Sequence, residues 1–111
     1  MSVKKPKISV LIPVHNGADT LAETVASILN QTFADFELLL FDDASTDASP
    51  EIINSFADSR IRRFRSDANL GISEARNRLM ELAEGEYLAV MDHDDLSAPR
   101  RLEKQAAWLD N

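Results

Sequence analysis

The chain has 111 residues, of which 44 % are hydrophobic and 28 % charged, and its formal net charge is -7. That length suits one compact domain rather than two, and the acidic balance excludes nonspecific nucleic-acid binding, which needs a Lys/Arg surplus to neutralise phosphates. The absence of cysteine excludes a disulfide framework and a thiolate metal site and fits a reducing, cytoplasmic setting.

Met1–Lys7 reads as a short solvated arm, because the apolar stretch behind it is too short for a signal peptide. No apolar run approaches the ~18 residues of a membrane span. Ile8–Ile12 then reads as a strand, followed by the turn segment Pro13–Gly17. Leu21, Val25, Ile28 and Leu29 recur at helical spacing, predicting an amphipathic helix over 18–30. Glu37–Phe41 is a second strand ending in Asp42-Asp43. Ser49-Pro50 has the form of an N-cap followed by proline at N1, and Ile52, Ile53 and Phe56 mark the buried stripe of a short helix.

Ile61–Phe64 is a weaker, more exposed strand. Gly71 opens a third helix with Ile72, Ala75, Leu79 and Leu82 on one face, and Glu84-Gly85 ends it through a left-handed glycine cap. Glu86–Met91 is a fourth strand. Pro99 starts a last helix through Trp108, with Leu102, Ala106 and Leu109 inward. Strict β-α alternation argues for a parallel sheet covered by helices on both faces.

The fourth strand empties into Asp92-His93-Asp94-Asp95. Like charges ~5 Å apart repel by about 3 kcal/mol per pair at an effective dielectric near 20. A divalent cation with hard oxygen ligands offsets that repulsion. In an open α/β sheet, ligands bind at the carboxyl ends of the strands. There the first, second and fourth strands deliver Pro13–Asn16, Asp42-Asp43 and Asp92–Asp95. A carboxylate after strand two accepts hydrogen bonds from a base imide or ribose hydroxyl. A D-x-D holds a metal that bridges a diphosphate. The helix start at Asn69–Asn77 favours an anion, with Arg76 in reach of it. Plainer readings stand beside these: turn and capping chemistry at Pro13–Gly17 and Asp42–Asp47, a surface ion pair for Arg76, and a solvated acidic loop at Asp92–Asp95. His15 and His93 lack the spacing of a zinc site.

These segments together resemble the start of a family 2 glycosyltransferase of the GT-A fold. The resemblance rests on Ile8–Asn16, Ser27–Thr32, Phe41–Asp47, Asn69–Asn77 and Met91–Asp95, in that order. It implies a Rossmann-like three-layer α/β/α sandwich with a mainly parallel sheet, the N-terminal part of a nucleotide-diphospho-sugar transferase. It implies inverting transfer of a sugar from a nucleotide diphosphate donor, often a UDP-sugar, to an acceptor hydroxyl, as in cell-wall or polysaccharide biosynthesis. Pro13, Val14 and Asn16 are expected to line the nucleotide, with Asp43 and Asp42 bonding the base. Gly71 and Arg76 are expected near the base or phosphates. Asp92 is expected at the ribose or metal, and Asp94 at Mg2+ or Mn2+. Asp95 has no role from the resemblance.

The family's acceptor-binding half and general base are expected beyond Asn111. The chain therefore reads as one donor-binding domain, residues 1–111, of a longer enzyme, for which a cytoplasmic or membrane-peripheral place is expected. Inactivity of the isolated chain and self-association through its exposed flank are expected. The rivals are a non-catalytic nucleotide/Mg2+ module and a sugar nucleotidyltransferase-like domain. A receiver domain needs a late-strand lysine, absent between Lys7 and Lys104. A nucleotidyltransferase usually has a glycine-rich loop where Pro13–Gly17 stands. No P-loop motif occurs, and a calcium loop from Asp92 would put Ser97 where its turn glycine belongs.

Overall fold

The computed structural model describes residues 5–110; the first part of the expected N-terminal arm, residues 1–4, and Asn111 lie outside them. Four strands, β1 (Ile8–Val14), β2 (Phe36–Asp43), β3 (Ile61–Ser66) and β4 (Tyr87–Val90), form one sheet in the order β3-β2-β1-β4. All pairings are parallel. Between and after the strands run α1 (Leu21–Leu29), α2 (Ser49–Ser55), α3 (Ile72–Leu82) and α4 (Arg101–Leu109). The expected layered α/β architecture is the one observed.

The chain moves from β1 outward to β3, then returns across the sheet to place β4 on the other side of β1. Right-handed crossovers in opposite directions put their helices on opposite faces. Accordingly α1, α2 and α4 cover Val10, Ile12, Leu38 and Leu40 on one face, while α3 alone covers Leu11, Leu39 and Phe41 on the other. The direction of winding reverses between β1 and β4, and a crevice opens at such a switch point outside the strands' carboxyl ends.

Several boundaries differ from the sequence reading. Pro13 and Val14 belong to β1, and Asp42 and Asp43 belong to β2, because pairing with neighbouring strands carries both strands further than their apolar cores. Ser49 is the first residue of α2, not its cap; Ala48 holds the cap position and Asp47 Oδ1 accepts the Ser49 N–H at 2.9 Å. Gly85 has no left-handed conformation, and α3 ends at Leu82 with an extended Ala83. Glycine is needed at 85 for close approach: a Cβ there would meet Ser9 Oγ at 2.5 Å. Ile72 and Leu109 are half-exposed rather than buried in the core, each lining an open hollow at the surface.

β4 is an edge. Leu88 and Val90 on its α3-side face have no helix over them, and with Trp108 and Leu109 they line an open apolar hollow of about 540 Å³. Among the described residues, no helix is long and apolar enough to cross a membrane.

Candidate functional site

The loops after β1 and β2 are cross-linked to each other. The N–H groups of Asn16 and Gly17 donate to Ser45 Oγ and Ser49 Oγ, both at 3.0 Å, and Ala18 N–H donates to Asp47 Oδ2 at 3.0 Å. Asn16 Oδ1 accepts the Thr46 N–H at 2.8 Å. Asn16 and Ala44 hold positive φ values of 51° and 55°, and the cross-links carry that local cost. Burial pushes the Asp47 carboxyl upward, but bonds from the Ser49 hydroxyl and N–H and the Ala18 N–H bring it below its ordinary value.

Adjacent strand residues face opposite sides of a sheet, so Asp42 and Asp43 part company. Asp42 turns to the α2 face, where Arg65 Nη1 donates to its Oδ2 at 2.7 Å and Ser45 N–H to its Oδ1 at 3.1 Å. Asp43 turns to the α3 face. Its two oxygens accept the N–H groups of Leu70 and Gly71 at 2.7 and 2.9 Å, which fixes the start of α3. Each oxygen keeps a further lone pair.

The segment after β4 lies against α1 and α3. Arg76 Nη2 donates to Asp92 Oδ1 at 2.9 Å, and Asp92 N–H donates to Asp95 Oδ2 at 3.0 Å. Glu74, the alternative partner for Arg76, is paired with Arg78. Carboxylate oxygens of Asp92, Asp94 and Asp95 lie within 4.8 Å of one another. That set of hard oxygen donors suits Mg2+ or Mn2+ better than a softer metal. Beside it the Arg76 Nε is buried with no hydrogen-bond partner, a donor suited to an anion that such a cation would hold. The residues present therefore fit a divalent cation with a phosphate.

Next to the acids is a pocket of about 250 Å³ lined by Pro13, His15, Asp43, Gly71, Ala75 and His93, among others. It is smaller than the ~300–1,000 Å³ of a whole ligand site and suits one ring of a larger ligand. His15 Nδ1 lies 2.6 Å from the Asp43 carbonyl oxygen, which orients the imidazole at the pocket mouth. The larger β4–α4 hollow contains no acid and lies away from this cluster.

A model of the family described as "Glycosyl transferase family 2" matches residues 9–111. The chain belongs to glycosyl transferase family 2. EpsE of Bacillus subtilis (strain 168) is 43 % identical over 108 residues, covering 95 % of this chain and 39 % of EpsE. Staphylococcus aureus TarS 1-349, solved in complex with UDP, superposes with a TM-score of 0.88 at 30 % identity over 94 % of this chain and 32 % of that one. The mannosyltransferase PcManGT of Pyrobaculum calidifontis, solved with GDP-Man and Mn2+, gives a TM-score of 0.87 at 25 % identity over 97 % of this chain and 33 % of that one. These neighbours establish the GT-A fold. The chain spans about two fifths of EpsE and about a third of the two structures.

In this family 2 chain the structure brings Pro13, Asp43 and Gly71 to one pocket, and Arg76, Asp92 and Asp94 to a separate acidic cluster joined to that pocket by His93, which lines the pocket and stands between Asp92 and Asp94 in the chain. It does not bring Val14 or Asp42 there. The Val14 side chain is wholly buried in the core and Asp42 is committed to Arg65. Asn16 serves the loop cross-link through its Oδ1. Sequence reasoning missed His15 and His93 as pocket walls. It also missed Thr20 and Thr24, whose hydroxyls donate to the His93 carbonyl oxygen at 3.0 and 2.8 Å. The signal for the threonines was their four-residue spacing beside the apolar stripe of α1.

Proposed function

We propose that this chain is the donor-binding part of an inverting, metal-dependent glycosyltransferase that moves a sugar from a nucleotide diphosphate sugar, a UDP-sugar first, to an acceptor hydroxyl. The observation that carries this reading is the ring-sized pocket at Pro13, His15, Asp43 and His93, whose wall residue His93 lies in the chain between Asp92 and Asp94 of the clustered carboxylates. A base and a diphosphate need those two environments side by side. TarS with UDP and PcManGT with GDP-Man and Mn2+ support it as relatives in fold.

Asp43 offers its remaining lone pairs to a base imide while its other bonds keep the carboxylate from turning away. Asp92 and Asp94, with Asp95 beside them, would hold Mg2+ or Mn2+, which would supply positive charge against the departing diphosphate. Arg76 tethers Asp92 and presents further donors to phosphate oxygens. The acceptor oxygen attacks the anomeric carbon from the face opposite the leaving diphosphate, so configuration inverts. None of the acids described is assigned as the base for the acceptor proton. That role belongs to the part of longer family members that this chain does not span, so the chain alone is expected to be inactive in transfer.

Calorimetric titration of UDP into the chain, with and without Mn2+, on wild type and Asp94→Ala tests this reading. Binding that needs Mn2+ and disappears in Asp94→Ala is expected. Equal binding by wild type and variant would overturn the metal assignment, and no binding to folded wild type would overturn the donor site in this chain.

A further inference from the structure

α1 works on two sides. Leu21, Val25 and Ile28 bind it to the sheet, while Thr20, Thr24, Ser27 and Gln31 run along its other flank. Thr20, Thr24 and Ser27, at i, i+4 and i+7, make one line from the cap up the helix, and Gln31 lies just past its C-terminal end. The β4–α4 connection runs beside that line and is bonded to it at each step. Thr20 and Thr24 hydroxyls donate to the His93 carbonyl oxygen. Ser27 Oγ accepts the Ser97 N–H at 3.1 Å. Gln31 closes the far end, its Nε2 donating to the Ala98 carbonyl at 2.7 Å and its Oε1 accepting the Leu102 N–H at 3.0 Å.

The His93 carbonyl belongs to the peptide that joins His93 to Asp94. Two hydroxyl bonds on that oxygen, one from the fully buried Thr24, fix the plane from which the Asp94 side chain departs. Left to themselves, the carboxylates of Asp92, Asp94 and Asp95 repel and drive the segment apart. We propose that Thr20 and Thr24 are positioning residues that hold the His93–Asp94 peptide so that these carboxylates converge on a divalent cation. The metal clause rests on the reading under Proposed function. Neither threonine touches the cation; each acts through the backbone, as outer partners of metal ligands do.

The test compares wild type, Thr20→Val/Thr24→Val and Thr24→Ser in the full chain, with folding checked by far-UV circular dichroism. Valine keeps the branched shape and removes the donor; serine keeps the donor. The first readout, without ligand, is amide hydrogen exchange at Asp92 and Asp95, whose N–H groups bond to Asp95 Oδ2 and the Asp92 carbonyl. The second is Mn2+ uptake in the presence of UDP, followed by electron paramagnetic resonance. The double valine variant is expected to exchange faster at these amides but not in β1 or β2, and to bind Mn2+ weaker by on the order of tenfold, with Thr24→Ser close to wild type. A folded valine variant with unchanged exchange would overturn the positioning role. Faster exchange with unchanged Mn2+ affinity would overturn the link to the cation. Wild type that takes up no Mn2+ would overturn the metal reading itself and the metal clause here, while the exchange data still decide whether the threonines hold the peptide. Should the double variant not fold, Thr20→Val alone, at a half-buried position, is read in the same way.

Discussion

The imidazole of His93 lies against the α-carbon of Gly17, so close that a Cβ at position 17 would come within 2.7 Å of Nδ1. This contact joins the loops after β1 and β4 at the switch point of the sheet. Gly17→Ala would wedge them apart. Inserting one methyl into a packed contact costs roughly 1–3 kcal/mol, so a lower melting temperature is expected in a thermal scan, with weaker UDP binding because His93 walls the pocket.

Gly71 is needed for a different reason. Its φ of 89° and ψ of 158° lie where side chains are strained, yet nothing stands within 4 Å of a Cβ placed there. Gly71→Ala is therefore expected to cost about 1–3 kcal/mol through the backbone alone, and any relaxation would pull its N–H from Asp43. Urea unfolding should show a lower midpoint with an unchanged slope.

Asp42 and Asp43 are neighbours in sequence with separate duties. Asp42→Asn weakens the bond to Arg65, and because that arginine is half exposed the loss is about 1–2 kcal/mol. Asp43→Asn replaces one acceptor facing Leu70 and Gly71 by a donor and is expected to weaken UDP binding as well as stability. Paired denaturation and calorimetry should separate them: stability alone for Asp42, both for Asp43.

Acid sensitivity is expected outside the site as well as in its Asp47 loop. Burial pushes the Glu37 carboxyl upward, but the Ser9 hydroxyl, the Glu84 N–H and the Arg62 guanidinium outweigh it and hold the group below its ordinary value. The Arg60 guanidinium and N–H hold Asp58 down to about 2. A carboxyl lowered in the folded state takes up its proton later than in the unfolded chain. Its contribution is therefore complete above the ordinary carboxylate range, roughly pH 5, and is lost as pH falls through the folded values. Unfolding midpoints measured from neutral pH downward should decline below about pH 5, and Glu37→Gln should remove part of that decline.

Trp108 is the sole tryptophan and is 78 % exposed on the β4–α4 flank. In dilute solution its fluorescence is expected to be that of a hydrated indole, readily quenched by acrylamide. A blue shift with rising protein concentration would report coverage of this flank by other copies of the chain, and its absence would count against self-association there.

Much of the fold was legible because it is written in local periodicity. The alternation of apolar strand cores with 3.6-residue stripes determined eight elements in their observed order. The acids at the ends of β2 and β4 stood out because a buried strand has no use for them. Element ends were less legible: β1 and β2 run on through Val14 and Asp43 because a neighbouring strand pairs with them. Leu109 and Ile72 look inward by pattern but are half-exposed, each on the wall of an open hollow rather than in the core.

The site divides in the same way. The residues by themselves determined the family and which strand ends carry polar groups. Only the tertiary structure decided that Asp42 faces Arg65 while Asp43 faces the pocket, that Ser49 serves Gly17 rather than its own helix, and that Thr20 and Thr24 grip His93. The physical reason is range. Periodicity is set by neighbours a few residues away, whereas these hydrogen bonds join residues 23 to 73 positions apart, and their partners exist only once the sheet has brought the loops together.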